Sequence, residues 1–158
     1  MSDEYHFLVD ENLLGLVRQL RMMGVDAASL KAISDDELLA IAEKENRIIL
    51  TKDRRLFQRI PDGRGYLVKS EPPQEQLFEV LSQFPVGAGA EALSRCLECN
   101  TLIEKVEKES IRNRIDEKTF SLYDTFYECP TCHRIYWEGS HFAKLQNKVE
   151  RIRKSLNE

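Results

Sequence analysis

The apolar positions of this chain change their period along its length, and the changes outline alternating strands and helices. Phe7-Leu8-Val9 is a short apolar run that ends at Asp10, and Arg47-Ile48-Ile49-Leu50-Thr51-Lys52 is a β-rich run that ends at Asp53. Both read as buried strands. Between them Leu13, Leu16, Val17, Leu20 and Met23 recur at the spacing of one helix face, with Gly24 where a C-terminal cap falls. Ser34 or Asp35 can cap a second helix that carries Leu38, Leu39, Ile41 and Ala42. Tyr66-Leu67-Val68 suggests another strand, and Pro72-Pro73 opens a helix expected to bury Leu77, Val80, Leu81 and Phe84. This order implies an α/β sandwich built on a parallel sheet.

The pattern breaks at Phe84-Pro85-Val86-Gly87-Ala88-Gly89-Ala90, where Pro and two Gly mark a connector. The expected division is residues 1–88 for the sandwich and 89–158 for a second, smaller module. All four cysteines follow the break. The last stretch buries Phe142, Leu145, Val149 and Ile152 on one helical face, and Lys144, Lys148, Arg151, Arg153 and Lys154 make the remainder basic. Such a helix is either a solvated amphipathic element or one that contacts RNA.

Composition narrows the function. With 42% hydrophobic and 32% charged residues the chain can bury a core. No apolar stretch approaches the roughly 20 residues that cross a bilayer, and the polar start Met1-Ser2-Asp3-Glu4-Tyr5-His6 lacks a signal-peptide pattern, so a cytosolic protein without a membrane partner is expected. The net charge of −4 argues against a protein that coats nucleic acid non-specifically. Residues 1–90 hold 11 basic and 15 acidic side chains and the other 68 hold 12 of each, so the negative excess lies in the first part.

Three of those acids stand at element boundaries. Asp10 and Asp53 close the two strongest strands, so parallel pairing brings both carboxylates to one sheet edge, and Asp36 joins them from a helix start. Carboxylates gathered in this way suit Mg²⁺ or Mn²⁺, hard cations that prefer oxygen and keep open positions for phosphate and water. Such an ion can activate water and stabilise charge on a phosphodiester. Taken singly, Asp10 and Asp53 also suit turns, and Asp35 or Asp36 a helix dipole.

Cys96-Leu97-Glu98-Cys99 and Cys129-Pro130-Thr131-Cys132 are two Cys-x-x-Cys knuckles. Each turn aims two thiolates at one centre, and four complete a tetrahedral Zn²⁺ site that leaves no position for water, so the metal is expected to be structural. Disulfides are the alternative. His133 and His141 are further potential ligands. The 29 residues between the knuckles require a β-hairpin or charged loop over Thr101 to Glu128.

In their order and spacing, Phe7-Leu8-Val9-Asp10-Glu11-Asn12, Leu20-Arg21-Met22-Met23-Gly24-Val25-Asp26, Asp36-Glu37-Leu38-Leu39-Ala40-Ile41-Ala42 and Ile49-Leu50-Thr51-Lys52-Asp53-Arg54 resemble the successive blocks of a PIN-like nuclease domain. With the cysteine pairs behind them they are most similar to the Mut-seven C-terminal RNase family, a PIN-like domain followed by a zinc ribbon. The resemblance spans about residue 6 to about residue 145 and includes Arg134-Ile135-Tyr136-Trp137-Glu138-Gly139-Ser140-His141-Phe142 as a closing block. It implies a metal-dependent ribonuclease with Asp10, Asp36 and Asp53 as catalytic metal ligands and RNA as the partner. Arg18 and Arg21, three apart on the first helix, either form its solvent face or supply one contact to the substrate backbone, for which Arg21 is favoured by its matched block, whereas Trp137 and Phe142 either stack on bases or pack.

Many PIN-type sequences carry a further acid two residues beyond the position of Asp53, where this chain has Arg55. Glu11, Asp35 or Asp62 can replace it in space. Lys52, Arg54 and Arg55 either bind RNA phosphate or form a solvated strand end. The substitution also motivates an alternative in which a nuclease-like scaffold binds RNA or protein without cutting.

Overall fold

The computed structural model describes residues 5–85 and 91–157. Most of the expected connector, residues 86–90, lies outside them. The first part runs β1 (His6–Val9), a 3-10 turn, α1 (Leu14–Met22), β2 (Asp26–Ser29), α2 (Asp35–Lys44), β3 (Ile48–Thr51), α3 (Arg54–Gln58), β4 (Gly65–Leu67) and α4 (Pro73–Gln83). The four strands are all parallel in the order β2-β1-β3-β4. Strand alternation then makes two cores from one sheet. Phe7, Val9, Ala27 and Leu50 face α1 and α4, while Leu8 and Ile49 face α2 and α3 through Leu38, Ala42, Leu56 and Ile60. The expected α/β sandwich is thus three layers, helix on sheet on helix.

Two elements depart from the sequence expectation. Strand β2, Asp26-Ala27-Ala28-Ser29, has no branched or aromatic side chain, and its extended form comes from pairing with β1. Helix α3 is five residues long, too short for its period to emerge from the sequence, and is held by Asp53 as its cap. Between α1 and β2, Gly24 is left-handed, with φ +85°, and a Cβ there would fall 2.2 Å from the Glu91 carbonyl. Only glycine lets the chain after the connector pass so close.

The second part contains β5 (Glu104–Val106), a 3-10 segment, α5 (Glu117–Leu122), β6 (Phe126–Glu128), β7 (Ile135–Trp137) and α6 (Ser140–Leu156). Strands β5, β6 and β7 form an antiparallel sheet over a small core of Ile111, Phe120 and Phe126, with Trp137 packed against it. The long spacer between the knuckles is therefore a β5/β6 pair closed by a folded helical excursion. Helix α6 leaves this sheet and returns to the first core, where Val149 and Ile152 are buried with the residues of α1 and α4. No helix among the described residues is long and apolar enough to cross a membrane.

The two parts are joined at the edge of β2. Asn100, one residue past the first knuckle, accepts a hydrogen bond from the Ala27 N–H at 3.0 Å and donates to Asp26 Oδ1 at 2.6 Å. Arg47 donates to the same oxygen at 2.8 Å, and His6 Nδ1 lies 2.8 Å from Oδ2. Burial pushes the Asp26 carboxyl up, but the bonds from Arg47, Asn100 and His6 outweigh it and hold the group at about 2. A carboxylate depressed on folding contributes stability above its unfolded value, and that contribution is lost as pH falls through the folded value. Relative to an unfolded value near 4, the linkage is worth about 2 kcal/mol at neutral pH. Asp26→Asn protein should therefore lose less stability than the parent between about pH 4 and pH 2, measured as the urea midpoint against pH. Parallel acid limbs in the two proteins would contradict this account.

Candidate metal and nuclease site

Parallel pairing in the centre of the sheet sets the first site. The Asp10 N–H donates to the Leu50 carbonyl at 2.9 Å, which carries the β1/β3 ladder one residue beyond the strand and sets Asp10 beside Thr51. Thr51 is fully buried. Its hydroxyl donates to Asp10 Oδ2 at 2.8 Å and accepts from the Asp53 N–H at 3.0 Å. One hydroxyl thus ties the ends of both strands and leaves Asp10 Oδ1 outside that bond. Asp53 caps α3, its Oδ1 accepting from the N–H groups of Arg55 and Leu56 at 2.8 and 3.2 Å, which leaves Oδ2 outside the cap.

Asp36 occupies the first turn of α2 behind the Ser34 cap, and its carboxylate is ion-paired with Arg59 of the turn after α3. The three aspartates do not form a group with ligand atoms within 4.8 Å of one another. Asp10 and Asp53 share one hydrogen-bonded edge, whereas Asp36 is turned to an arginine. Hard oxygen donors suit a divalent cation, and Asp10 and Asp53 are the two of the three aspartates that share this edge. Glu11 is used otherwise: Oε2 accepts from the Ala32 N–H at 3.0 Å and fixes the loop between β2 and α2.

The basic residues divide by environment. Arg54 and Arg55 are exposed beside Asp53. Lys52 reaches across to the loop after β4, where it donates to the Ser70 carbonyl at 3.2 Å and pairs with Glu71. Arg21 corrects the expectation of a substrate contact. Helix α1 runs back along the sheet, so its last turn lies at the opposite edge from Asp10, and Arg21 there is 6% exposed. Its guanidinium donates to the carbonyls of Ala27 and Leu97, both at 2.9 Å, and so binds the sheet to the first cysteine knuckle. Burial lowers its pKa, while the charges of Cys96, Cys99, Glu98 and Asp26 oppose the shift.

The two knuckles fold alike. The Cys96 N–H donates to the Thr101 carbonyl and the Asn100 N–H returns to Cys96 O, both at 2.8 Å. The Cys129 N–H donates to Arg134 O at 3.0 Å and the His133 N–H to Cys129 O at 2.8 Å. Asn100 and His133 close the two turns in left-handed conformations, with φ +71° and +63°. All four sulfurs lie within 4.8 Å of one another, and Cys96 and Cys132 are 3.8 Å apart. Four sulfurs about 2.3 Å from a central Zn²⁺ are about 3.8 Å apart in a tetrahedron, so the cluster fits that ion. All four are free cysteines. Burial and the neighbouring sulfurs push the Cys99 thiol up to about 12; Cys129, although burial opposes it, is held at about 7 by N–H groups of Cys132 and Thr131. Tyr136 Oη lies 3.0 Å from Cys96 Sγ, a second contact that orients a ligand. His133 faces Glu128 instead, with Nδ1 2.8 Å from Oε2.

Sequence reasoning passed over Thr51 and Arg59. A hydroxyl inside an apolar strand, two residues before a candidate acid, was a usable signal for Thr51. Nothing local marks Arg59, because its pairing with Asp36 spans 23 residues. Arg21→Met should lower stability by about 1 to 3 kcal/mol, the usual result of stranding buried carbonyls. A urea midpoint unchanged from the parent would remove Arg21 from this bracing role.

A human relative, the exonuclease mut-7 homolog of Homo sapiens, is 37% identical over 102 residues, covering 61% of this chain and 12% of that protein. The chain therefore spans about an eighth of the length of that relative. No solved structure matches. The Mut7-C RNAse domain family matches residues 5–149, from the start of β1 through both cysteine knuckles into α6, and the chain belongs to that family of nucleases.

Proposed function

We propose that the chain is a metal-dependent ribonuclease whose centre is the edge formed by Asp10 and Asp53, with Asp36 as a third carboxylate and RNA as substrate. The observation that carries this reading is the Thr51 hydroxyl, which joins Asp10 and the Asp53 N–H at the carboxyl end of two central parallel strands. Asp10 Oδ1 and Asp53 Oδ2 are the oxygens left to hold Mg²⁺ or Mn²⁺. When bound, either ion supplies charge neutralisation for a phosphodiester and lowers the pKa of water. Arg54 and Arg55 place positive charge beside Asp53 and orient the phosphate backbone. Asp36 joins by rotating away from Arg59, which releases a third guanidinium toward the substrate.

The zinc reading rests on the sulfur geometry. Cys96, Cys99, Cys129 and Cys132 hold Zn²⁺ as four thiolates, a closed set whose role is folding.

A second reading, a nuclease-like scaffold that binds RNA or protein without cutting, is favoured by the Asp36–Arg59 pair and by Arg55 in place of an acid. One experiment separates the two. Asp10→Asn and Asp53→Asn proteins keep the Thr51 contact and the α3 cap, because an amide oxygen still accepts a hydrogen bond. Each should cut labelled RNA in Mn²⁺ or Mg²⁺ at least about a hundredfold more slowly than the parent, a loss of about 3 kcal/mol in transition-state stabilisation. Their circular dichroism and zinc content should be those of the parent. Wild-type rates in both variants would eliminate the carboxylate edge, and RNA binding without product in any metal would favour the scaffold.

A further inference from the structure

Seven cations, Arg18, Arg47, Lys52, Arg59, Lys108, Arg112 and Arg114, each reach a carboxylate among the described residues. Helix α6 is different. It carries five basic residues against one acid, Glu150, in a protein whose net charge is −4. Four of the five, Lys144, Lys148, Arg151 and Lys154, follow one another at steps of four, three and three residues and so form one ridge. None of these four is paired with a carboxylate among the described residues. Lys144, Arg151 and Lys154 are exposed and Lys148 is half-buried at the border of the apolar face.

We propose that this ridge of α6 is a binding track for the sugar-phosphate backbone of single-stranded RNA, separate from the carboxylate edge. The proposal rests on the ribonuclease reading for its choice of RNA over another polyanion. From Lys144 to Lys154 the helix rises about 15 Å, the rise of roughly four stacked nucleotides of one strand. Unpaired cations in a row gain from phosphate what they do not gain within the protein, and neutralising phosphates releases counterions. A membrane surface is a poor occupant, because the apolar face that would enter it is used: Val149 and Ile152 are 2% and 1% exposed in the first core. That seating also gives the ridge a rigid base, since α6 packs on α4. The family match ends at residue 149, so Arg151 and Lys154 extend the ridge beyond the matched segment.

Binding and cleavage are read separately. In zinc-loaded Asp10→Asn protein, which leaves RNA intact, anisotropy of a labelled oligouridine of about 20 nucleotides is followed from about 50 to about 200 mM salt. The added substitutions Lys144→Gln, Lys148→Gln and Arg151→Gln should weaken binding at least about tenfold and reduce the log–log salt slope by about 2, from about 0.7 per phosphate contact. Lys44→Gln, Lys105→Gln and Lys118→Gln, the same change of net charge on other exposed lysines, should leave the slope unaltered. An unchanged slope in the ridge variant, an equal loss in the control, or no binding by the parent would each overturn the proposal, the first leaving an acidic protein as the occupant to be sought. Cleavage by the wild-type chain is scored in a parallel assay, so a protein that binds through the ridge and cuts nothing would overturn the nuclease reading alone.

Discussion

The pairing of β1 with β3 is the constraint on which the rest of the molecule depends. Val9 stands opposite Leu50, and this register delivers Asp10 beside Thr51 and brings Asp53 onto the same hydroxyl. A slip of one residue would turn Phe7 and Val9 from the α1/α4 core to the α2/α3 core and would move Asp10 off Thr51. The two apolar cores therefore protect the geometry of the polar edge. Together they specify which strand ends share that edge. The buried side chain that links core to edge is Thr51, whose hydroxyl satisfies both strand ends without adding charge.

The cysteine module acts on the same sheet from its other end. An edge strand leaves backbone N–H groups unpaired, a hazard that proteins usually cover. Here Asn100 covers β2 by taking the Ala27 N–H, and the carbonyl on the same residue accepts from Arg21. Arg21 also holds Leu97 O, and Arg95 donates back to the Gly24 carbonyl at 3.2 Å. The first knuckle thus completes the edge of the sandwich, and a metal held by the thiolates would stabilise contacts well outside the knuckles. Negative charge on Cys96 and Cys99 would work against the burial that lowers the Arg21 pKa.

Much of this was legible in the chain because it rests on local pattern. The apolar strand of β1, the 3.6-residue period of α1, the Ser34 cap and the doubled Cys-x-x-Cys each express their structure within a few neighbouring residues. What was not legible depends on partners far away. Strand β2 is extended because β1 pairs with it, and Asp36 is turned because Arg59 arrives from 23 residues on. Arg21 is the instructive case: its place in a block that resembles the family suggested substrate, but the antiparallel course of α1 carries it to the far edge, where its guanidinium binds backbone carbonyls. Sequence spacing identified the helix face and could not identify the edge.

Charge is distributed in a way that a net value conceals. The ends of the two central strands carry Asp10 and Asp53. Cations near that edge are partly engaged, Arg59 with Asp36 and Lys52 with Glu71, so a polyanion approaching it competes with bonds already made. On α6 there is no such competition for Lys144, Lys148, Arg151 and Lys154 among the described residues. The acids of the strand ends and the basic ridge of α6 thus stand on different elements, and each sets its own local potential. A net charge of −4 is therefore compatible with a local basic surface in a member of this RNase family.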